Sequence, residues 1–153
     1  MQPKTKPTIS PTDYQSLVKE VSPDSPLVAN MAKAFAIGGV ISVVGQVIYN
    51  FFDATALSTQ HVQSFTSVTL IFLGVALTGL NLYPKLGRFA GAGSAIPITG
   101  FANSVAAAAM EFKREGPVLG LGSRIWSVAG PVLTYGVLTS FVVGLVYYVI
   151  TII

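Results

Sequence analysis

The chain has 153 residues, 52% of them hydrophobic and only 10% charged, with nine Lys and Arg against six Asp and Glu. A soluble domain carries roughly 25% charged residues, and a chain this short cannot hide so much apolar surface in a water-soluble core. That excludes a soluble globular domain and requires lipid to cover part of the molecule.

Cysteine is absent and His61 is the single histidine, so thiolate metal sites and disulfides are excluded. A histidine-based metal centre or triad has one candidate imidazole, in a polar loop. All nine basic residues lie outside the long apolar runs. That is how a bilayer distributes charge, not how a nucleic-acid-binding face does, so no nucleic-acid partner is expected.

Residues 1–26 are polar and rich in proline, and contain no apolar run of the signal-peptide kind. Inside them, Thr12 followed by Gln15 reads as a capping box. Tyr14, Leu17, Val18 and Val21 then share one helical face, and Ser22-Pro23 ends the helix. Two readings stand: a surface helix packed on the rest of the protein, or an interfacial helix lying on the membrane.

The remainder, 27–153, reads as an all-α integral membrane domain. The first span covers about Ala34 to Phe52, nineteen uncharged residues, just the length needed for a hydrocarbon core of ~30 Å at ~1.5 Å per residue. Gly38, Ser42 and Gln46 share a face suited to close helix contact. The amides of Gln46 and Asn50 require partners in lipid, most simply across helices. Residues 53–64 form a polar loop containing His61. The second span covers about Phe65 to Tyr83, stopped by Pro84, with Tyr49 and Tyr83 placed as interfacial anchors.

The third segment, Phe89 to Met110, has 22 uncharged residues but contains Gly91, Gly93, Ser94, Pro97, Thr99, Gly100, Asn103 and Ser104. A continuous helix through Pro97 costs about 3 kcal/mol, and each glycine adds ~1 kcal/mol. A broken helix or re-entrant hairpin is cheaper, with an Ala-rich half-helix starting near Asn103. Residues 111–124 are a polar, glycine-rich loop. The last span lies within Ile125 to Ile153, with Pro131 near its first turn. The fold class is therefore three transmembrane helices plus a broken or re-entrant segment (or four spans), with a short amphipathic N-terminal helix.

The first loop has no basic residue, whereas Lys4, Lys6, Lys19 and Lys33 precede the first span and Lys85 and Arg88 follow the second. The positive-inside rule places the N-terminus in the cytoplasm. A re-entrant 89–110 puts all nine basic residues on that side; a complete crossing puts Lys113, Arg114 and Arg124 outside.

Irregular backbone at membrane depth persists only when buried in protein or lining water. The candidate pore- or substrate-lining residues are thus Gln46, Asn50, Ser94, Pro97, Thr99, Asn103 and Ser104, with tight packing as the alternative role for the small residues. A half-helix N-terminus at the break aims N–H groups and a positive dipole end at an anion. No acid–base pair, metal cluster or nucleophile–histidine arrangement is visible, so neither an enzyme nor a cofactor site is expected.

Gly38-Gly39-Val40-Ile41 with Gly45-Gln46, and above all the run from Phe89 to Ser104 followed by Glu111 and Lys113-Arg114-Glu115-Gly116, resemble the small membrane subunits of the stage V sporulation A family. The resemblance covers about residues 27–145. The Pro-rich N-terminal extension is more similar to the AC-type subunit than to the AEb-type. The resemblance implies a channel subunit that moves dipicolinic acid, as its calcium chelate, into the forespore and releases it at germination, with gating by membrane tension. It implies the inner spore membrane as the location. It implies a homo-oligomer or a complex with sister subunits, including a soluble dipicolinate-binding one. Two other readings accompany it: a non-conducting scaffold that docks the soluble partner, and a general osmotic mechanosensitive channel.

Overall fold

The computed structural model describes residues 10–22 and 25–152. Lys4, Lys6, Pro23 and Ile153, which entered the reading above, lie outside them. The described chain is helical, in the order α1 (Pro11–Val21), α2 (Leu27–Asp53), α3 (Thr59–Gly79), α4 (Tyr83–Ala90), α5 (Ala92–Ala95), α6 (Ile98–Phe112) and α7 (Ser123–Ile152). A 3-10 turn, Lys113–Glu115, and a π-helical turn, Pro117–Gly122, join α6 to α7. Three helices are long and apolar enough to cross a bilayer: Leu27–Asp53, Thr59–Gly79 and the continuous stretch Pro117–Ile152. The fold is that of an all-α membrane protein.

The first helix starts earlier than the Thr12/Gln15 pattern suggests. Ser10 is the cap, its hydroxyl accepting from the Asp13 N–H at 3.2 Å, and Pro11 occupies the first turn. Proline pre-sets the helical φ there and has no N–H to satisfy. No residue of α1 is buried; Tyr14, Leu17, Val18 and Val21 are 42–78% exposed. The packed-helix reading is therefore corrected: the apolar stripe is left exposed among the described residues.

Helix α2 extends seven residues before the expected start of the span, since Leu27 to Lys33 continue the helix without a breaker. The expected 53–64 loop shrinks to residues 54–58, and His61 lies in the first turn of α3, its Nδ1 3.0 Å from the Ser58 hydroxyl. Val62 is fully buried beside it, and the Phe52 and Phe65 rings, 5.5 Å apart, close the α2–α3 hairpin.

Pro84 does not stop α3. The helix ends at Gly79, Asn81 turns the chain with φ +57°, and Pro84 lies in the first turn of a new helix, α4. Asparagine tolerates this left-handed backbone better than most residues. Tyr83 is then carried inward and is 3% exposed, so it is not an interfacial anchor.

The expected 111–124 loop is mostly helical. Leu121 N–H bonds to the Gly116 carbonyl, the i to i−5 pattern of a π turn, and Gly120 is wedged against the Phe112 carbonyl. Pro131 consequently falls at the ninth position of α7 rather than its first turn. Residues 131–152 are exposed on all sides. The 36 residues from Pro117 to Ile152 extend about 54 Å, well beyond a ~30 Å hydrocarbon core.

Candidate functional site: a polar cavity at an interrupted helix

The segment expected to be broken is interrupted twice. Helix α4 ends at Gly91, whose φ of +52° is a conformation that side chains resist. One turn, α5, follows. The chain then leaves the helix at Pro97 (φ −61°, ψ 164°) and restarts as α6 at Ile98. The second half-helix thus begins five residues before Asn103, because Pro97 serves as its cap: the Gly100 and Phe101 N–H groups bond to the Pro97 carbonyl at 2.8 and 3.2 Å. Its 15 residues reach about 22 Å, short of a full crossing.

Two glycines allow the break to be tightly folded. Gly93 lies directly on the α2 backbone at Ala34, and Gly38 faces Gly93 in turn, so α5 and α2 meet backbone to backbone. Gly100 is packed in the same way onto the Ser94 and Ala95 carbonyls, which folds α6 back against α5. Close approach through small residues is the main way apolar helices gain contact in lipid.

Tyr83 ties the two sides of the break together. Its hydroxyl donates to the Ser94 carbonyl at 2.8 Å. Its one proton being so used, the hydroxyl of Thr99, also 2.8 Å away, donates to the Tyr83 oxygen. All three residues are buried. A second tie runs from α3 to α6. Thr78 Oγ1 lies 2.6 Å from the Gly74 carbonyl and 2.8 Å from Asn103 Oδ1, its single proton shared between the two acceptors. The Asn103 amide oxygen is thereby engaged, and its N–H2 group remains available as a donor.

Beside these ties lies a cavity of about 550 Å³, walled by Tyr83, Gly87, Gly91, Ser94, Ile96, Phe101, Asn103, Ser104 and, from α7, Val132. Its polar groups are hydroxyls and an amide, and no charged side chain lines it. Ser94 and Ser104 bond to nearby carbonyls, of Gly91 at 3.1 Å and Phe101 at 2.8 Å; each hydroxyl oxygen can still accept.

The seven residues singled out from the sequence separate into three groups. Ser94, Asn103 and Ser104 meet at this cavity. Pro97 and Thr99 do not line it: Pro97 faces a smaller cavity of about 300 Å³ against Ala34, Gly38 and Ser42, and Thr99 is engaged with Tyr83. Gln46 and Asn50 lie elsewhere, on an exposed face of α2, bonded to each other at 2.8 Å, within one helix rather than across two. Residues four apart on a helix are neighbours, so the amides can satisfy each other locally. Thr78 is not among the sequence candidates, and Tyr83 enters the sequence reading only as an interfacial anchor. The signal for Tyr83 was weak: a tyrosine beside a proline that begins a helix.

These features define a small polytopic helical membrane protein whose spans pack around an interrupted helix, with an uncharged polar cavity at the break. The sequence profile of the SpoVAC/SpoVAEB sporulation membrane protein family matches residues 30–146, and the chain belongs to that family. It is 42% identical over 137 residues, 89% of its own length and 91% of the relative's, to stage V sporulation protein AC of Bacillus subtilis (strain 168). No solved structure matches it.

Proposed function

We propose that this sporulation membrane protein is a subunit of the path by which dipicolinate crosses the inner membrane of the forespore and spore, inward during sporulation and outward at germination. The observation that carries the reading is the uncharged hydroxyl- and amide-lined cavity at the broken helix. Its volume of about 550 Å³ falls within the roughly 300–1,000 Å³ of small-ligand pockets. Dipicolinate presents two carboxylates and a flat ring. The Asn103 N–H2 group can donate to a carboxylate, and Ile96 and Phe101 offer apolar surface to the ring. The absence of a fixed cation among the lining residues suits conduction, which needs binding weak enough to release. The role is permeation rather than catalysis.

Three crossing helices cannot enclose a wide pore alone, so the path is shared with further copies or with sister subunits. The uncovered surface of α7 and the exposed Gln46–Asn50 pair are available for that assembly. Asn103→Leu removes the donor and fills part of the cavity. Spores carrying it should show a severalfold fall in dipicolinate at unchanged protein level. Normal content at that protein level would remove Asn103 from the path.

The exposed apolar stripe of α1 favours a second reading, a scaffold that docks a soluble partner while a sister subunit conducts. Reconstituting the full chain in a planar bilayer separates the alternatives. Dipicolinate-selective current supports the path, unselective current under tension supports a general osmotic channel, and no current supports the scaffold or a path that sister subunits complete.

Orientation is checked with single cysteines, each unique in this cysteine-free chain. With a re-entrant α4–α6 segment and a cytoplasmic N-terminus, Thr55→Cys should react with a membrane-impermeant thiol reagent in intact vegetative cells that carry the chain in their plasma membrane. Glu115→Cys should react only after lysis; external labelling of Glu115→Cys would establish a complete fourth crossing.

A further inference from the structure

A second cavity, of about 330 Å³, lies between the first turns of α2 and the α4–α5 junction. Its walls are mixed in a particular way. Leu27, Met31 and Phe89 are apolar, Asn30 is polar and Arg88 is cationic. Lys33 adds a second cation at the edge, its Nζ 5.2 Å from the centre of the Phe89 ring. The three elements that form the cavity carry one carboxylate between them, Asp53, at the far end of α2. At 1.5 Å per residue that is about 30 Å or more away. The charge that these elements bring to the cavity is therefore positive.

The depth of the site matters as much as its charge. Lys33 is the last charged residue before the uncharged run that begins at Ala34, and Arg88 is the last before the run that begins at Phe89. Both cations thus stand at the boundary of an apolar stretch, where lipid head groups lie. On their membrane side, Phe35 of α2 is 84% exposed, and Phe89, in the cavity wall, is 56% exposed. Two cations above two exposed aromatic rings match an anion carried on a hydrocarbon chain.

We propose that this cavity binds the head group of an anionic phospholipid, with Arg88 and Lys33 on the phosphate and an acyl chain along Phe89 and Phe35. Basic pockets between helices at the membrane surface hold anionic lipids by this chemistry. Gly91 lines both this cavity and the polar one, so the lipid sits against the first interruption from the α2 side.

The test is native mass spectrometry of the full chain in detergent, with phosphatidylglycerol and phosphatidylcholine offered together. Two cations at the surface should give a preference for phosphatidylglycerol on the order of tenfold or more. The K33Q/R88Q variant should lose that preference. K33R/R88K, which keeps both charges, should retain it, and so should K113Q/R114Q, which removes two cations elsewhere. Equal retention of the two lipids by the wild type overturns the proposal. So does a preference that survives in K33Q/R88Q, or one that is lost equally in K33R/R88K or K113Q/R114Q. Displacement of the bound lipid by excess inorganic phosphate also overturns it, since the site would then hold a soluble anion.

Discussion

Replacing Gly93 by alanine should disrupt the membrane domain more than any other single-methyl change outside the cavity. The added Cβ would lie 2.7 Å from both the Cα and the carbonyl carbon of Ala34, and closer still to its oxygen. These are backbone atoms of a 27-residue helix, so no side chain can rotate out of the way. Overpacking usually costs about 1–3 kcal/mol, and a rigid wall places this site at or above about 3 kcal/mol. The alternative to strain is separation of α5 from α2, which would open the smaller cavity behind Pro97. Thermal unfolding in detergent should show a drop of many degrees for Gly93→Ala. Gly39→Ala, on the same stretch of α2 but with open space around its Cβ, should stay near wild type. Equal stability of the two variants would show that α2 and α5 are not in backbone contact in the membrane.

Tyr83→Phe should have the second largest effect. The ring still fits, because only the hydroxyl is removed. That hydroxyl serves two buried partners, the Ser94 carbonyl and the Thr99 hydroxyl. Leaving buried polar groups without partners costs about 1–3 kcal/mol each, more in a lipid environment where water cannot replace the bond. The break should loosen between α5 and α6, on one wall of the polar cavity. We expect a lowered unfolding temperature and, under the proposed role in dipicolinate permeation, spores that retain dipicolinate poorly. Tyr135→Phe provides the control: Tyr135 is 73% exposed on α7, and surface changes of this kind fall within about 0.5 kcal/mol. If Tyr83→Phe behaved like Tyr135→Phe, the tie across the break would have no energetic weight.

Both variants act on contacts that join distant parts of the chain, and neither contact is visible in the linear order of residues. What could be read without the structure was local. Uncharged runs of sufficient length marked the crossing helices, because the hydrocarbon thickness fixes how many apolar residues are needed. Pro97 and its glycines marked the interruption, because a missing N–H and high backbone entropy act at the residue that has them. Even there the boundaries moved: Pro97 capped α6 instead of merely ending what came before it, and Pro84 began α4 instead of ending α3.

Which polar groups face one another depends instead on how helices far apart in sequence approach and rotate. Ala34 meets Gly93 across 59 positions, and Thr78 meets Asn103 across 25. That approach turned Tyr83 inward, closed Thr99 off from the cavity, brought Ser94, Asn103 and Ser104 to one wall, and left Gln46 and Asn50 to bond along their own helix. Composition and periodicity determined that this chain crosses a membrane with one helix broken. Packing alone decided which side chains the break exposes, because burial in lipid depends on the neighbour a residue meets and not on its own hydropathy.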